Sequence, residues 1–168
     1  SIPAQLAAPF VAIAVLMLSG CPAPKGEGFA IYLTKADILP GQMAVLSHVD
    51  IAERPIIAMS DIAIYDARTH EITLTINAYE RVAELEVPVR GRSFVVSVDR
   101  RPSYWGAFWT PLSSMSFDGV VIIKPLSPRD AKVIKLELGY PGQFFFRGDD
   151  PRANSEVMKS LEQAGKLK

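Results

Sequence analysis

The chain has 168 residues, and its 18 Lys and Arg balance 18 Asp and Glu, so the formal net charge is zero. Hydrophobic residues make up 49% of the chain, which excludes a wholly disordered protein and suits one globular domain. The neutral charge lacks the basic surface expected of a nucleic-acid partner. A single cysteine excludes an intrachain disulfide and a zinc site built from several cysteines.

The N-terminal segment is uncharged and apolar. Every charged residue follows residue 24, and residues 10–18 form an unbroken run of nine apolar side chains. A membrane-spanning helix needs ~20 apolar residues, whereas the hydrophobic region of a signal peptide needs roughly 7–15. The run ends in Leu18, Ser19, Gly20 and Cys21, and the last of these is the only cysteine in the chain.

This ending resembles the lipobox of bacterial lipoproteins, in which an aliphatic residue and two small residues precede a cysteine. The resemblance implies that the signal peptidase recognises Leu18, Ser19 and Gly20 and removes residues 1–20. It also implies that Cys21 carries diacylglycerol and anchors the protein to membrane lipid, on the extracytoplasmic side of the cell membrane or outer membrane. Residues 21–28 then form a lipidated tether, rich in Pro and Gly. The alternative is a buried N-terminal helix with an inert cysteine.

Residues 29–168 predict a single α+β domain with a mainly antiparallel sheet, a short central helix and a C-terminal helix packed on the sheet. The first strand is expected at 29–33, and the short apolar runs at 43–46 and 56–59 suit further strands. Alternation predicts a hairpin of strands 61–65 and 71–76. Two later strands are expected at 119–123 and 132–138.

Capping residues predict where the two helices begin. Asn77 is a candidate N-cap for a helix over 78–85, and Asp150, followed by Pro151, is a candidate N-cap for the C-terminal helix. Gly165 predicts the end of that helix. Val157, Leu161 and Ala164 share one face and are expected to cover the sheet.

The middle of the chain resembles the periplasmic head of the protein-export subunit SecD. The resemblance lies within residues 61–123: a strand ending at 72–75, a helix containing 78–81, and a Gly-Arg turn leading into the apolar strand of 91–99. It implies an α+β fold and a non-catalytic role, and it assigns no role to any residue.

An aromatic hairpin is expected where strands 93–98 and 103–109 flank the turn formers at 99–102. In an extended strand Tyr104 and Phe108 share one face, and Trp105 and Trp109 share the other. Either both faces are covered, or one aromatic pair lines a groove for a sugar ring, a peptide or a partner protein. In the second arrangement Arg100 and Arg101 at the hairpin tip add contacts to anions. Residues 144–146 are three consecutive Phe, and at least one of these rings is expected to be exposed.

Catalytic motifs are absent from the sequence. It has no glycine pattern typical of nucleotide binding and no serine-hydrolase elbow. His48 and His70 are the only histidines, so a metal site would need them to converge, with Asp50 or Asp66 as further ligands. We therefore expect a non-catalytic binding or scaffolding module of the cell envelope without a cofactor. The alternative is an envelope hydrolase or metal-binding protein that uses the His48 and His70 region.

Overall fold

The computed structural model describes residues 26–126 and 132–168. The predicted signal peptide and the lipobox residues Leu18, Ser19, Gly20 and Cys21 lie outside this range, and only residues 26–28 of the predicted tether fall within it. Among the described residues, no helix is both long enough and apolar enough to cross a bilayer.

The described residues form eight strands, two α-helices and four short 3-10 helices, which confirms the predicted α+β fold. The strands are β1 (Phe29–Leu33), β2 (Ile62–Asp66), β3 (Glu71–Leu74), β4 (Arg92–Val98), β5 (Arg101–Trp109), β6 (Phe117–Ile123), β7 (Val133–Lys135) and β8 (Glu137–Tyr140). The helices are α1 (Ile76–Ala83) and α2 (Ser155–Gln163), and the 3-10 helices are Pro40–Gln42, Leu46–His48, Met59–Asp61 and Gln143–Phe145.

The strands are arranged in two sheets. A five-stranded sheet has the order β1-β4-β5-β6-β8, and a three-stranded sheet has the order β2-β3-β7. All neighbours are antiparallel except β5 and β6, which are parallel. The predicted single strand at 132–138 is therefore wrong in one respect, because the chain changes sheet at Leu136. That residue is fully buried, and its N–H donates to the His70 carbonyl.

The main hydrophobic core is built by residues from both sheets and both helices. Val157 and Leu161 of α2 are fully buried, which confirms that the C-terminal helix packs on the sheet. Ala164, the third residue of the predicted face, is exposed. Ser160 is buried instead, and its Oγ accepts a hydrogen bond from the Phe29 N–H at 2.9 Å.

Both predicted helix N-caps are wrong, since each helix is capped by another residue. Thr75 caps α1 by accepting from the Ala78 N–H, so Asn77 lies inside the helix. Asn154 caps α2 and accepts from the N–H groups of residues 156 and 157. Asp150 is engaged elsewhere, because its carboxylate accepts from the backbone N–H and guanidinium of Arg152. Gly165 ends α2 with φ +68, as predicted.

Residues 43–60 do not form the two expected strands. Two 3-10 helices lie in this segment, and Ile51 and Ile57 make only isolated bridges, to Thr34 and Ile31. The Ile31 N–H donates to the Ile57 carbonyl, and the Ile31 carbonyl accepts from residue 56. The segment therefore covers the edge of β1, where unpaired backbone groups would otherwise invite association with another strand.

Candidate functional site

The predicted aromatic hairpin is present as β4 and β5, paired antiparallel. Its two-residue turn is Asp99 and Arg100, both with positive φ, +50 and +63. Positive φ at both central residues is typical of a type I′ turn, and the twist of this turn matches that of the flanking strands. The turn thus fixes which residues of β5 point to each face of the five-stranded sheet.

The first face of β5 is buried in the main core. Phe108 is fully buried, and Tyr104 is 6% exposed. A Cβ on Gly106, which lies between them, would be 2.5 Å from the ring of Phe94, so that ring occupies the space that the glycine leaves. Tyr104 and Phe108 therefore stabilise the fold and present no surface to a ligand.

The second face of β5 carries a separate aromatic cluster. The Phe117 ring lies 5.9 Å from the Trp105 ring and 5.2 Å from the Trp109 ring, which it stacks at an interplanar angle of 15°. It belongs to the same hydrophobic cluster as Ala107, the small residue between the two indoles along β5. Tyr140 completes the cluster, with its ring 5.8 Å from Trp109. Trp109 is 2% exposed, whereas Trp105 is only partly buried.

A groove of about 350 Å³ runs along this cluster, and we name it the Trp105 groove. Its lining combines aromatic and apolar side chains with polar ones: Leu39, Pro40, Gly41, Gln42, Arg90, Trp105, Trp109, Met115, Ser116, Phe117 and Asp118. A second depression of about 390 Å³ shares residues 116–118 with it and extends to Phe145 and Arg147. The two depressions adjoin at these shared residues, and both are open to solvent.

The groove offers unpaired polar groups beside its aromatic wall. Within residues 26–126 and 132–168, the side chains of Arg90 and Asp118 make no ion pair or hydrogen bond, and both residues are exposed. The Nε1 donor of Trp109 also has no partner there, but it is buried, so the polar groups that face a ligand are those of Arg90 and Asp118. A ligand with a flat apolar face and hydrogen-bonding groups would satisfy these features: the face stacks on Trp105, and the polar groups meet one cation and one carboxylate.

Gly91 holds the indole of Trp109 in place. It has φ +79, and a Cβ at this position would lie 2.3 and 2.5 Å from two carbons of the indole. Only glycine permits both the backbone conformation and the close approach. The wall of the groove is therefore fixed by a residue that does not line the groove.

The hairpin tip lies at the opposite end of β5 from Trp109. Since β5 has 9 residues and rises ~3.3 Å per residue, Arg101 lies ~26 Å from Trp109 along the strand. Arg100 is engaged with the domain: it donates to the Tyr32 hydroxyl at 3.2 Å and to the Glu53 carbonyl at 3.1 Å, and its guanidinium lies 5.1 Å from the centre of the Tyr32 ring. Arg101 is exposed and pairs with no carboxylate in the described part of the chain.

Tyr32 links Arg100 to the beginning of the domain. Its hydroxyl donates to the Glu27 carboxylate. Burial, followed by this hydrogen bond, raises the pKa of Tyr32 to about 12. The hydroxyl therefore stays protonated at neutral pH and bridges Glu27 and Arg100 through its two hydrogen bonds.

The two histidines occupy different environments. His48 is exposed in a 3-10 helix, whereas His70 is 8% exposed and its Nδ1 lies 2.9 Å from the Tyr65 hydroxyl. Burial lowers the pKa of His70, and the nearby Arg152 guanidinium lowers it further. Among the residues that the structure describes, no group of three or more His, Cys, Asp or Glu side chains is arranged to hold a metal ion. The hydrolase or metal-site alternative thus gains no supporting geometry there.

Sequence reasoning identified Trp105 and Trp109 but missed the residues that complete the groove. Phe117, Arg90 and Asp118 lie outside the hairpin, and the parallel pairing of β5 with β6 brings two of them to it. The one available signal was Phe117, a large apolar residue two positions before the predicted strand at 119–123.

Comparisons with known proteins give no relative. No family model, no curated protein and no solved structure matches the chain. The resemblances to bacterial lipoproteins and to the SecD head therefore remain predictions from the sequence.

Proposed function

We propose that this chain is a lipid-anchored protein of the bacterial cell envelope that acts as a non-catalytic binding module, with the Trp105 groove as its ligand site. The observation that carries the binding role is the partly exposed indole of Trp105 beside the unpaired charges of Arg90 and Asp118. The ligand is a molecule with a flat face and hydrogen-bonding groups, for which a sugar ring or an extended peptide is suited.

The anchor rests on the sequence. The apolar run at 10–18 ends in Leu18, Ser19, Gly20 and Cys21. One acyl chain gives only reversible membrane binding, whereas two chains give stable anchoring, at ~0.8 kcal/mol for each buried CH₂ group. Diacylglycerol on Cys21 would therefore hold the domain at a membrane surface, where a partner or a glycan of the envelope is at high local concentration.

The two indole N–H signals in an NMR spectrum provide the test of the groove, because the chain has only two tryptophans. We would add a chito-oligosaccharide and, separately, a proline-rich peptide. We expect one of these probes to shift the Trp105 signal. Trp105→Ala should weaken binding by at least tenfold, since it removes the exposed stacking surface.

Leu126→Ala is the matched control, because Leu126 is 73% exposed and does not line the groove. We expect this variant to bind like the parent. Failure of both probes to shift the Trp105 signal, or binding that survives Trp105→Ala, would contradict the assignment of the ligand site.

A further inference from the structure

One end of the five-stranded sheet gathers several features that suit a membrane surface. Phe29 at the start of β1 pairs with Val98 at the end of β4, which pairs in turn with Arg101 at the start of β5. Because β6 runs parallel to β5, it begins at this same end, and Phe117 there pairs with Tyr140 at the end of β8. We name this end of the sheet the anchor end.

The chain enters the domain at the anchor end and is fastened there. The Gly28 N–H donates to the Asp99 carboxylate of the hairpin tip at 2.7 Å. A Cβ on Gly26 would lie 2.2 Å from the same carboxylate, so the backbone of Gly26 packs directly on the tip. A chain spans at most ~3.6 Å per residue, which keeps Cys21 within about 18 Å of Gly26. An acyl group on Cys21 therefore holds the anchor end close to the bilayer.

Exposed aromatic rings lie at this end. The 3-10 helix Gln143–Phe145 follows the end of β8, and the backbone N–H of Arg147 donates to the Asp118 carbonyl near the start of β6. Phe144 is 86% exposed and Phe145 is 38% exposed, with their rings edge to face and 6.0 Å apart. The guanidinium of Arg147 donates to the carbonyls of Phe144 and Phe146, which holds the turn in shape.

We propose that the anchor end docks on the phospholipid bilayer, with Phe144 and Phe145 in the interfacial layer and Arg101 at the level of the lipid phosphates. This inference rests on the proposed lipid anchor at Cys21. Water-exposed aromatic rings gain free energy from the interfacial layer, and an exposed arginine at the same end of the sheet is attracted to anionic headgroups. A second consequence concerns the Trp105 groove. Its Phe117 end lies at the anchor end, near the membrane, and its Trp109 end is held away from the membrane.

Site-specific fluorescence quenching tests the orientation. The full chain is purified from its native membrane with one new cysteine, Gln143→Cys at the anchor end or Leu126→Cys beyond the other end of β6. Each is labelled with an environment-sensitive dye, because the thiol of an acylated Cys21 is blocked. The proteins are reconstituted in phosphatidylcholine and phosphatidylglycerol vesicles that contain a headgroup nitroxide lipid. We expect the dye at position 143 to be quenched several-fold more than the dye at position 126.

Replacement of the rings adds a second readout. Phe144→Ser with Phe145→Ser should reduce the quenching at position 143, while circular dichroism stays that of the parent because both rings are exposed. Equal quenching at positions 143 and 126, or quenching that is unchanged by the double substitution, would overturn the docking surface and favour a protein contact for the two rings. The intact mass of the same sample separates the two proposals: a chain without diacylglycerol would overturn the anchor itself.

Discussion

The Oγ of Ser160 in α2 accepts a hydrogen bond from the backbone N–H of Phe29, the first residue of β1, at 2.9 Å. This bond joins the C-terminal helix to the strand at which the domain begins, and it satisfies a donor that is buried under the helix. Because an unpaired buried N–H costs about 1–3 kcal/mol, Ser160→Ala should lower the free energy of unfolding by that amount. Urea unfolding of the parent and the variant measures the difference.

The same substitution at Ser97 should have no such cost. Ser97 is fully buried in β4, and its hydroxyl has no hydrogen-bond partner among the described residues. Ser97→Ala removes a desolvated polar group, so the variant should unfold within about 1 kcal/mol of the parent or be more stable than it. A large loss of stability would mean that the Ser97 hydroxyl has a partner, such as a buried water.

Gly91→Ala should destabilise the domain by about 2–4 kcal/mol, the sum of a strained positive φ and overpacking against the indole of Trp109. Gly148→Ala is the matched control, because Gly148 has φ +93 and no atom within 4 Å of where its Cβ would lie. It should cost only the backbone strain, about 1 kcal/mol. Equal losses in thermal or urea unfolding would show that Trp109 does not pack against Gly91.

Two substitutions test which residue caps α1: Asn77, as the sequence predicts, or Thr75, as the structure shows. Thr75→Ala should cost about 1 kcal/mol, because it removes the oxygen that accepts from the Ala78 N–H. Asn77→Ala should be neutral or slightly stabilising, since Asn77 is exposed inside the helix, where alanine has the higher helix propensity. If urea unfolding showed a larger loss of stability for Asn77→Ala than for Thr75→Ala, Asn77 would be the cap.

Stability should fall as the pH falls below about 6.5, the ordinary pKa of histidine. His70 is buried and its pKa is lowered, so the unfolded chain binds a proton more readily than the folded one, and protonation favours unfolding. The charged groups that act on it are Arg152, Asp150, Asp66 and Lys135. The two aspartates also have lowered pKa values, so their stabilisation is present above their ordinary pKa near 4 and is lost only below it.

Urea unfolding between pH 8 and pH 5 measures this dependence. His70→Asn should flatten it, and asparagine tolerates the positive φ of +56 at this position. His48→Asn, at an exposed position, should keep the slope of the parent. A slope that persists in His70→Asn would assign the pH dependence to another group.

Local patterns predicted much of the fold. Alternation and turn residues located β1, both hairpins and β6, because those signals depend on neighbours in the chain. The helix caps were missed because Thr75 and Asn154 compete with nearby residues of similar propensity, and the choice is made by backbone geometry and by the Arg152 contact with Asp150. The sequence did not reveal that the chain changes sheet at Leu136, because apolar and polar residues continue to alternate across that point.

The candidate site was predictable only in part. Alternation placed Trp105 and Trp109 on one face of β5, but it could not decide which face is covered, since that depends on Phe94 and Phe117 from other strands. The parallel pairing of β5 with β6 is a long-range feature without a local signature. The exposed ring expected among residues 144–146 is found at Phe144, because the 3-10 helix turns it to solvent.

The most direct test of the account is the intact mass of the protein purified from its native membrane, beside a Cys21→Ala variant. We predict a chain that begins at Cys21 and carries diacylglycerol, and we predict that the variant lacks this modification. An unmodified chain that still carries residues 1–20 would contradict the lipid anchor. It would also contradict the envelope location and the docking of the anchor end, because both rest on that anchor.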